Sequence, residues 1–74
     1  MRCYFVSFDP DDADAFRKQV DALCKTSRLP RGSVHEQIDT TNGQTVGIYI
    51  TDETAKRFPQ FEAAFGGGEW IDCP

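Results

Sequence analysis

Three carboxylates fall within four positions in the stretch SFDPDD, directly after an apolar run of residues. The side chains of Asp9, Asp11 and Asp12 could bind a divalent cation such as Mg²⁺ through their oxygens, or form an acidic surface for a basic partner. They could also begin a helix, because Asp9 suits the N-cap and Pro10 suits the first helical position. The spacing favours the cap, and the other two roles stay open until the surrounding elements are placed.

Other residue types that could do chemistry are few and scattered. His35 is the single histidine, and Glu36 beside it points to the opposite face of a strand, so no carboxylate is placed to orient the imidazole. Cys3, Cys24 and Cys73 lack the close pairs of a zinc site, and we expect reduced, mostly buried thiols. The sequence therefore predicts no catalytic residue and no cofactor, with Asp9 and Mg²⁺ as the alternative.

Size and charge limit the function classes. The chain has 74 residues, which fit a single domain over residues 1–74. Its net charge is −4, from 12 acidic and 8 basic residues. Direct nucleic-acid binding is not expected because it needs a basic footprint, whereas a basic protein partner fits. No run of about 18 apolar residues is present, so no membrane span is expected, and the predicted compartment is the cytoplasm.

Hydrophobic periodicity and turn residues predict six regular elements. Asn42-Gly43 between two strand-like runs indicates a tight hairpin in which both turn residues have positive φ. Pro59 interrupts the second helical stripe, so we expect a kink or a restart there, and Gly66–Gly68 ends that helix. The predicted elements are a strand over 3–8, a helix over 10–26, strands over 34–38 and 46–50, a helix beginning at Thr51 or Asp52, and a strand over 69–73.

This order predicts an α+β domain with the ferredoxin-like βαββαβ fold, a four-stranded antiparallel sheet of order 4-1-3-2 with two helices on one face. The first and last strands then lie side by side and run in opposite directions. Cys3 and Cys73 therefore come into one neighbourhood, where a disulfide can form if their Cα atoms lie within about 7 Å. The residues after the first strand fall at one edge, opposite the basic loop that carries Lys25, Arg28 and Arg31.

Two surfaces of this fold are candidates for binding. The first is an acidic edge, and the second is the uncovered face of the sheet, where Phe5, Tyr49 and His35 point outward and Trp70 could join either side. An exposed aromatic face also allows a homodimer. The predicted binding residues are Asp9, Asp11, Asp12, Asp14, Asp39, Glu69, Phe5, Tyr49 and Trp70.

The opening MRCYFVSFD resembles the first strand of two ferredoxin-like families. One is the small CRISPR-associated integration subunit, and the other is the antitoxin ribonuclease of type V toxin–antitoxin systems. The resemblance implies that Asp9 stands where the first family places a metal-binding carboxylate shared across a homodimer. It covers about nine residues, and the basic residues that those families direct toward nucleic acid are few here. The function that it implies is a metal-dependent ribonuclease.

The closing EWIDCP is similar to the end of a small type I anti-CRISPR protein over four positions. This resemblance implies a phage-encoded inhibitor, and the small, acidic chain without a catalytic constellation agrees with that profile. The preferred hypothesis is a non-enzymatic inhibitor that docks its acidic edge onto a basic host nucleic-acid-binding complex. The ribonuclease that uses Asp9 is the alternative.

Overall fold

A single antiparallel sheet forms the framework of the computed structural model, which describes all residues from Met1 to Pro74. Its aromatic and β-branched segments extend as strands because such side chains pack well on a pleated surface. The strand order is β2-β3-β1-β4, which is the predicted order 4-1-3-2 read from the other edge and confirms it. The strands are β1 (Arg2–Ser7), β2 (His35–Ile38), β3 (Thr45–Thr51) and β4 (Glu69–Asp72).

Helical segments fill the two long connections of the sheet. A 3₁₀ turn at Pro10–Asp12 precedes α1 (Ala13–Ser27), so the regular helix begins three residues later than the sequence predicts. The predicted interruption at Pro59 is confirmed, because α2 (Asp52–Arg57) ends before it and α3 (Gln60–Ala64) begins after it. Proline lacks the N–H that a continuous helix needs at this point.

The hairpin between β2 and β3 lies where the sequence predicts it, but its turn has a different conformation. Gly43 has a φ of 73°, but Asn42 is not among the residues with positive φ, so the prediction of positive φ at both turn residues was wrong for Asn42. The Asp39 N–H donates to the Gln44 carbonyl at 2.8 Å and the Gly43 N–H donates to the Asp39 carbonyl at 2.7 Å. The first of these bonds encloses four residues, a loop length that needs only one left-handed position, and Gly43 supplies it.

One side of the sheet and the helices share a continuous apolar core. The strands contribute Tyr4 and Ile48 to this core, among others. The helices α1 and α3 contribute Val20 and Phe61. Phe61 and Val20 are almost completely buried, which fits the helical spacing of the apolar positions on each segment. The core residues are Tyr4, Val6, Val20, Leu29, Val34, Ile48, Ile50, Ala55, Phe61 and Phe65.

Tyr4 connects the sheet to the segment between α3 and β4. Its hydroxyl donates to the Phe65 carbonyl at 2.7 Å and accepts from the Gly68 N–H at 3.1 Å. A Cβ atom at Gly68 would lie 2.6 Å from the Tyr4 ring and 2.8 Å from the Phe5 carbonyl oxygen. The third glycine of the run is therefore required for close packing on β1, in addition to the predicted role of the run in ending the helix.

A disulfide joins Cys3 in β1 to Cys73 after β4, with the two Cα atoms 5.1 Å apart. The antiparallel pairing of β1 with β4 brings the two residues together, as the topology predicts. The expectation that all three thiols are reduced was therefore wrong for this pair. Cys24 is the free cysteine, and burial raises the pKa of its thiol.

We expect replacement of both Cys3 and Cys73 by serine to lower the free energy of unfolding by up to about 4 kcal/mol. The bond spans a sequence separation of 70 residues, and opening a loop of that size releases chain entropy in the unfolded state. Denaturant titration measures the loss, and Cys24→Ser, which leaves the bond intact, is the control. Three reactive thiols per chain in unreduced, denatured protein would contradict the bond.

Candidate functional site

The acidic residues collect at one edge of the molecule because of the strand directions. β1 ends at this edge, and the turn and helix start that follow it carry four aspartates. The hairpin after β2 also reaches it, since β2 and β1 both pair antiparallel with β3. We call this surface the acidic edge, and it consists of Asp9, Asp11, Asp12, Asp14 and Asp39. Glu69, also a predicted binding residue, is the Cα partner of Phe5 and lies on the sheet face instead.

Asp9 has the structural duty that the SFDPDD spacing predicts. Its Oδ1 accepts from the Asp11 N–H at 3.0 Å, and its carbonyl accepts from the Asp12 N–H at 2.8 Å. The cap closes the 3₁₀ turn, with Pro10 as its first residue, and α1 follows without a side-chain cap of its own. One carboxylate oxygen of Asp9 is therefore held by the backbone.

Arg17 neutralises one member of the acidic edge. Its guanidinium donates to Glu36 at 2.6 Å, to Asp14 at 2.9 Å and to the Thr45 hydroxyl at 2.9 Å. The hydrogen bond to Glu36, followed by the charge of that carboxylate, raises the pKa of Arg17. The sequence pattern did not reveal this network, because α1 and β2 are far apart in the chain and only the fold brings their charges together.

The other four members of the acidic edge make no ion pair. The four salt bridges of the protein involve Arg2 with Asp72, Arg17 with Asp14 and Glu36, and Arg31 with Asp21. Asp14 is the one residue of the edge among their acceptors. The carboxylates of the edge left without a cation are Asp9, Asp11, Asp12 and Asp39.

Asp39 is fixed by its own loop. Its Oδ1 accepts from the Thr41 hydroxyl and from the Thr41 N–H at 3.0 Å. These bonds, the side-chain one first, lower the pKa of the Asp39 carboxyl below its ordinary value. The carboxylate therefore stays charged to a lower pH than an ordinary aspartate, and its place at the hairpin tip is defined.

The opposite end of the molecule is of mixed charge. Arg31, from the predicted basic loop, is paired with Asp21 at 2.9 Å. α2 begins at this end with Asp52 and Glu53 in its first turn, since β3 runs toward it. The predicted division into one acidic and one basic end therefore holds only for the acidic end, because the acids in the first turn of α2 lie at the same end as the basic loop.

The uncovered face of the sheet carries a row of four side chains. His35, Tyr49, Phe5 and Glu69 are Cα partners across the four strands, in that order. The His35 and Tyr49 rings stack with their centroids 5.1 Å apart. The Phe5 ring lies over Gly47, where an added Cβ would come within 2.6 Å of it. Adjacent strands thus present one continuous aromatic patch with a charged residue at its far end.

Trp70 lies on the other side of the sheet. It is the Cα partner of Tyr4, whose ring faces the core, and the two ring centroids are 5.4 Å apart. The residue remains 39% exposed at the edge of the core. Trp70 therefore lies on the core side and apart from Phe5 and Tyr49, which decides a question that the sequence left open, because the register of β4 sets its direction.

An apolar groove of about 380 Å³ lies between α1 and α3, and Leu23, Ala64 and Phe65 contribute to its lining. Gln19, Ala22 and Thr26 complete the lining, and the Thr26 hydroxyl donates to the Ala22 carbonyl at 3.1 Å. Elsewhere, no group of three or more His, Cys, Asp or Glu side chains is arranged to hold a metal ion.

Comparison of the chain with protein families, with curated proteins and with solved structures found no match. No helix has the length and apolar character needed to cross a membrane. The candidate site therefore rests on the geometry of the acidic edge and of the uncovered sheet face.

Replacing Thr41 with alanine should raise the pKa of the Asp39 carboxyl toward its ordinary value, because the stronger of its two hydrogen bonds is lost. A lowered pKa stabilises the fold above the pKa of the unfolded state, and this contribution is lost as the pH falls through the folded value. NMR titration of the Asp39 carboxyl measures the change. Thr40→Ala is the matched control, and an equal pKa in wild type and Thr41→Ala would contradict the assignment.

Proposed function

We propose that this protein is a non-enzymatic inhibitor that docks its acidic edge onto a basic nucleic-acid-binding protein. The single observation that supports this best is the set of four carboxylates at one edge without an ion-pair partner, Asp9, Asp11, Asp12 and Asp39. Of the other acids, Asp14, Asp21, Glu36 and Asp72 are each paired with an arginine, whereas Asp52, Glu53, Glu62 and Glu69 are unpaired but spread over α2, α3 and β4. Exposed charges of this kind govern association rate and salt dependence more than final affinity.

The proposed fold is the ferredoxin-like βαββαβ arrangement, with the second helix divided into α2 and α3. This fold explains why separate segments contribute to one surface. The cap at Asp9 and the hairpin at Asp39 both follow strands that end at the same edge. The hydrogen bonds of Asp9 and Asp39 hold two of the carboxylates in place before any partner arrives, so less conformational entropy is lost on binding.

The proposed partner is a host complex with a basic channel for nucleic acid, and the proposed class is the phage-encoded, anti-CRISPR type of inhibitor. Carboxylates would bind the arginines and lysines that otherwise contact phosphates.

The proposed compartment is the host cytoplasm, where thiol buffers reduce accessible disulfides. Cys3 is completely buried, so a reductant has access to this bond only from the Cys73 side. The acidic edge does not include the disulfide.

The second function that the sequence allows is a Mg²⁺-dependent ribonuclease that uses Asp9 in a dimer. Asp9 would have to bind the cation through its second oxygen, since Oδ1 accepts from the Asp11 N–H. Within one chain, no group of three or more His, Cys, Asp or Glu side chains is arranged to hold the ion, so the second copy would have to supply further ligands. We therefore rank the inhibitor first and keep ribonuclease activity as a separate outcome of the test.

The double variant D11K/D12K should lose capture of the basic partner from a nuclease-treated bacterial lysate at low salt, at least tenfold relative to wild type. Reversing two charges replaces attraction by repulsion at the proposed contact. E53K/E62K is the matched control, because it changes the net charge equally and also reverses acids in the first turns of helices. Raising the salt to about 0.5 M should release the wild-type complex.

Undiminished capture by D11K/D12K, or equal loss in E53K/E62K, would contradict the acidic edge as the docking surface. Cleavage of RNA by the wild type with Mg²⁺ or Mn²⁺, abolished in Asp9→Asn, would instead support the ribonuclease. The two results are independent, because capture does not require turnover.

A further inference from the structure

The uncovered face of the sheet carries a row whose two ends are complementary to each other. Across the sheet, His35 of β2, Tyr49 of β3, Phe5 of β1 and Glu69 of β4 are consecutive Cα partners. An imidazole, which can donate a hydrogen bond, stands at one end, and a carboxylate, which accepts, stands at the other. Both His35 and Glu69 are exposed, and neither takes part in an ion pair or a side-chain hydrogen bond within the chain.

From this row we propose that the face binds a second copy of the chain, in a two-fold dimer whose axis runs parallel to the strands. Such an axis places β4 of one copy over β2 of the other. His35 of each copy then faces Glu69 of the partner subunit, and the aromatic pair Phe5 and Tyr49 meets its counterpart between them. The two charged contacts and the aromatic contacts form together, as an isologous interface requires.

The alternative two-fold axis, perpendicular to the strands, is disfavoured by the same row. It would place His35 over the partner's His35 and Glu69 over the partner's Glu69, so that carboxylate opposes carboxylate. Like charges facing each other across an interface select against an arrangement. The row therefore specifies the orientation of the partner as well as its contact surface.

The size of the face indicates a weak dimer. The four strands are four to seven residues long. At about 4.8 Å between strands and about 3.3 Å per residue, they give a face of roughly 330 Å² per copy. Two such faces bury less than the roughly 1,200 Å² of a stable interface, so we expect a weak, transient dimer. Phe5 packed on Gly47, and Tyr49 stacked on His35, supply a rigid aromatic centre for the contact.

The proposed axis has one consequence for the acidic edge. A rotation about the strand direction leaves the two ends of the strands unchanged, so the acidic edges of both copies lie at the same end of the dimer. Their mutual repulsion is screened over about 8 Å at physiological ionic strength. The dimer does not depend on the proposed function, and it would give a basic partner two acidic edges side by side.

Sedimentation equilibrium at 0.15 M NaCl, between about 5 and 500 µM protein, tests the proposal. The wild type should dimerise, and H35E and E69K should each weaken dimerisation at least tenfold, because each places like or unmatched charges opposite one another. An equimolar mixture of the two single variants should form a heterodimer at least tenfold more tightly than either variant self-associates. In that mixture the introduced glutamate of one copy faces the introduced lysine of the other, and an original histidine–glutamate pair forms beside them.

Unfolded variants could not dimerise when mixed. Recovered dimerisation in the mixture of H35E and E69K therefore tests the contact between residues 35 and 69 itself. The double variant H35E/E69K should also dimerise within about threefold of wild type, since it carries the pair in reversed order. A wild type that stays monomeric at 500 µM would overturn the proposal. A wild-type dimer that neither single variant weakens, or single variants whose mixture shows no gain, would also overturn it.

Discussion

The hydroxyl of Tyr4 is the contact that holds the segment between α3 and β4 against the sheet. Tyr4 lies on β1, one of the two inner strands, and is 5% exposed. Its hydroxyl donates to the Phe65 carbonyl after α3 and accepts from the Gly68 N–H before β4. The ring meets Phe61 edge to face, with centroids 6.1 Å apart. A buried tyrosine needs partners for its hydroxyl, and the Phe65 carbonyl and Gly68 N–H provide them.

The position of β4 follows from that contact, and the surfaces of the molecule follow from β4. Once Gly68 is held against β1, the next residues pair with β1 in antiparallel register. This register brings Cys73 to Cys3, sends Trp70 to the core side and places Glu69 beside Phe5. Successive side chains of β1 point to opposite faces of the sheet, so Tyr4 faces the helices while Phe5 faces outward. The acidic edge and the row across the sheet are both consequences of this arrangement.

Local patterns predicted the elements well, because they depend on neighbours in the chain. The cap at Asp9, the interruption at Pro59 and the strand order followed from residue type and spacing. Pairings between distant segments could not be read in this way. The face that Trp70 occupies depends on a register, and the Arg17 network joins a helix to two strands. The conformation of the hairpin turn depended on the backbone hydrogen bonds that Asp39 makes to Gly43 and Gln44. The Asn42-Gly43 pair alone does not specify these bonds.

The candidate site was likewise predicted where it depends on local sequence and missed where it depends on contacts between distant segments. The acidic side chains were found from the sequence, since SFDPDD is a local cluster and the topology carries Asp39 to the same edge, whereas the register of β4 places Glu69 on the sheet face. Their lack of cations was not predictable, because Arg17 could have paired with any of several acids, and only the fold directs it to Asp14 and Glu36. The distinction matters for function, since an unpaired carboxylate is available to a partner and a paired one is less so.

The most direct test of the Tyr4 contact is hydrogen exchange at the Gly68 amide in Tyr4→Phe, together with its free energy of unfolding. Loss of the hydroxyl should lower that free energy by about 1–2 kcal/mol and speed exchange at Gly68, while β1–β3 amides stay protected. Tyr49→Phe, which removes a hydroxyl without a partner in the chain, should change neither. The account would be contradicted if Tyr4→Phe kept the free energy of unfolding of the wild type and the wild-type exchange rate at the Gly68 amide.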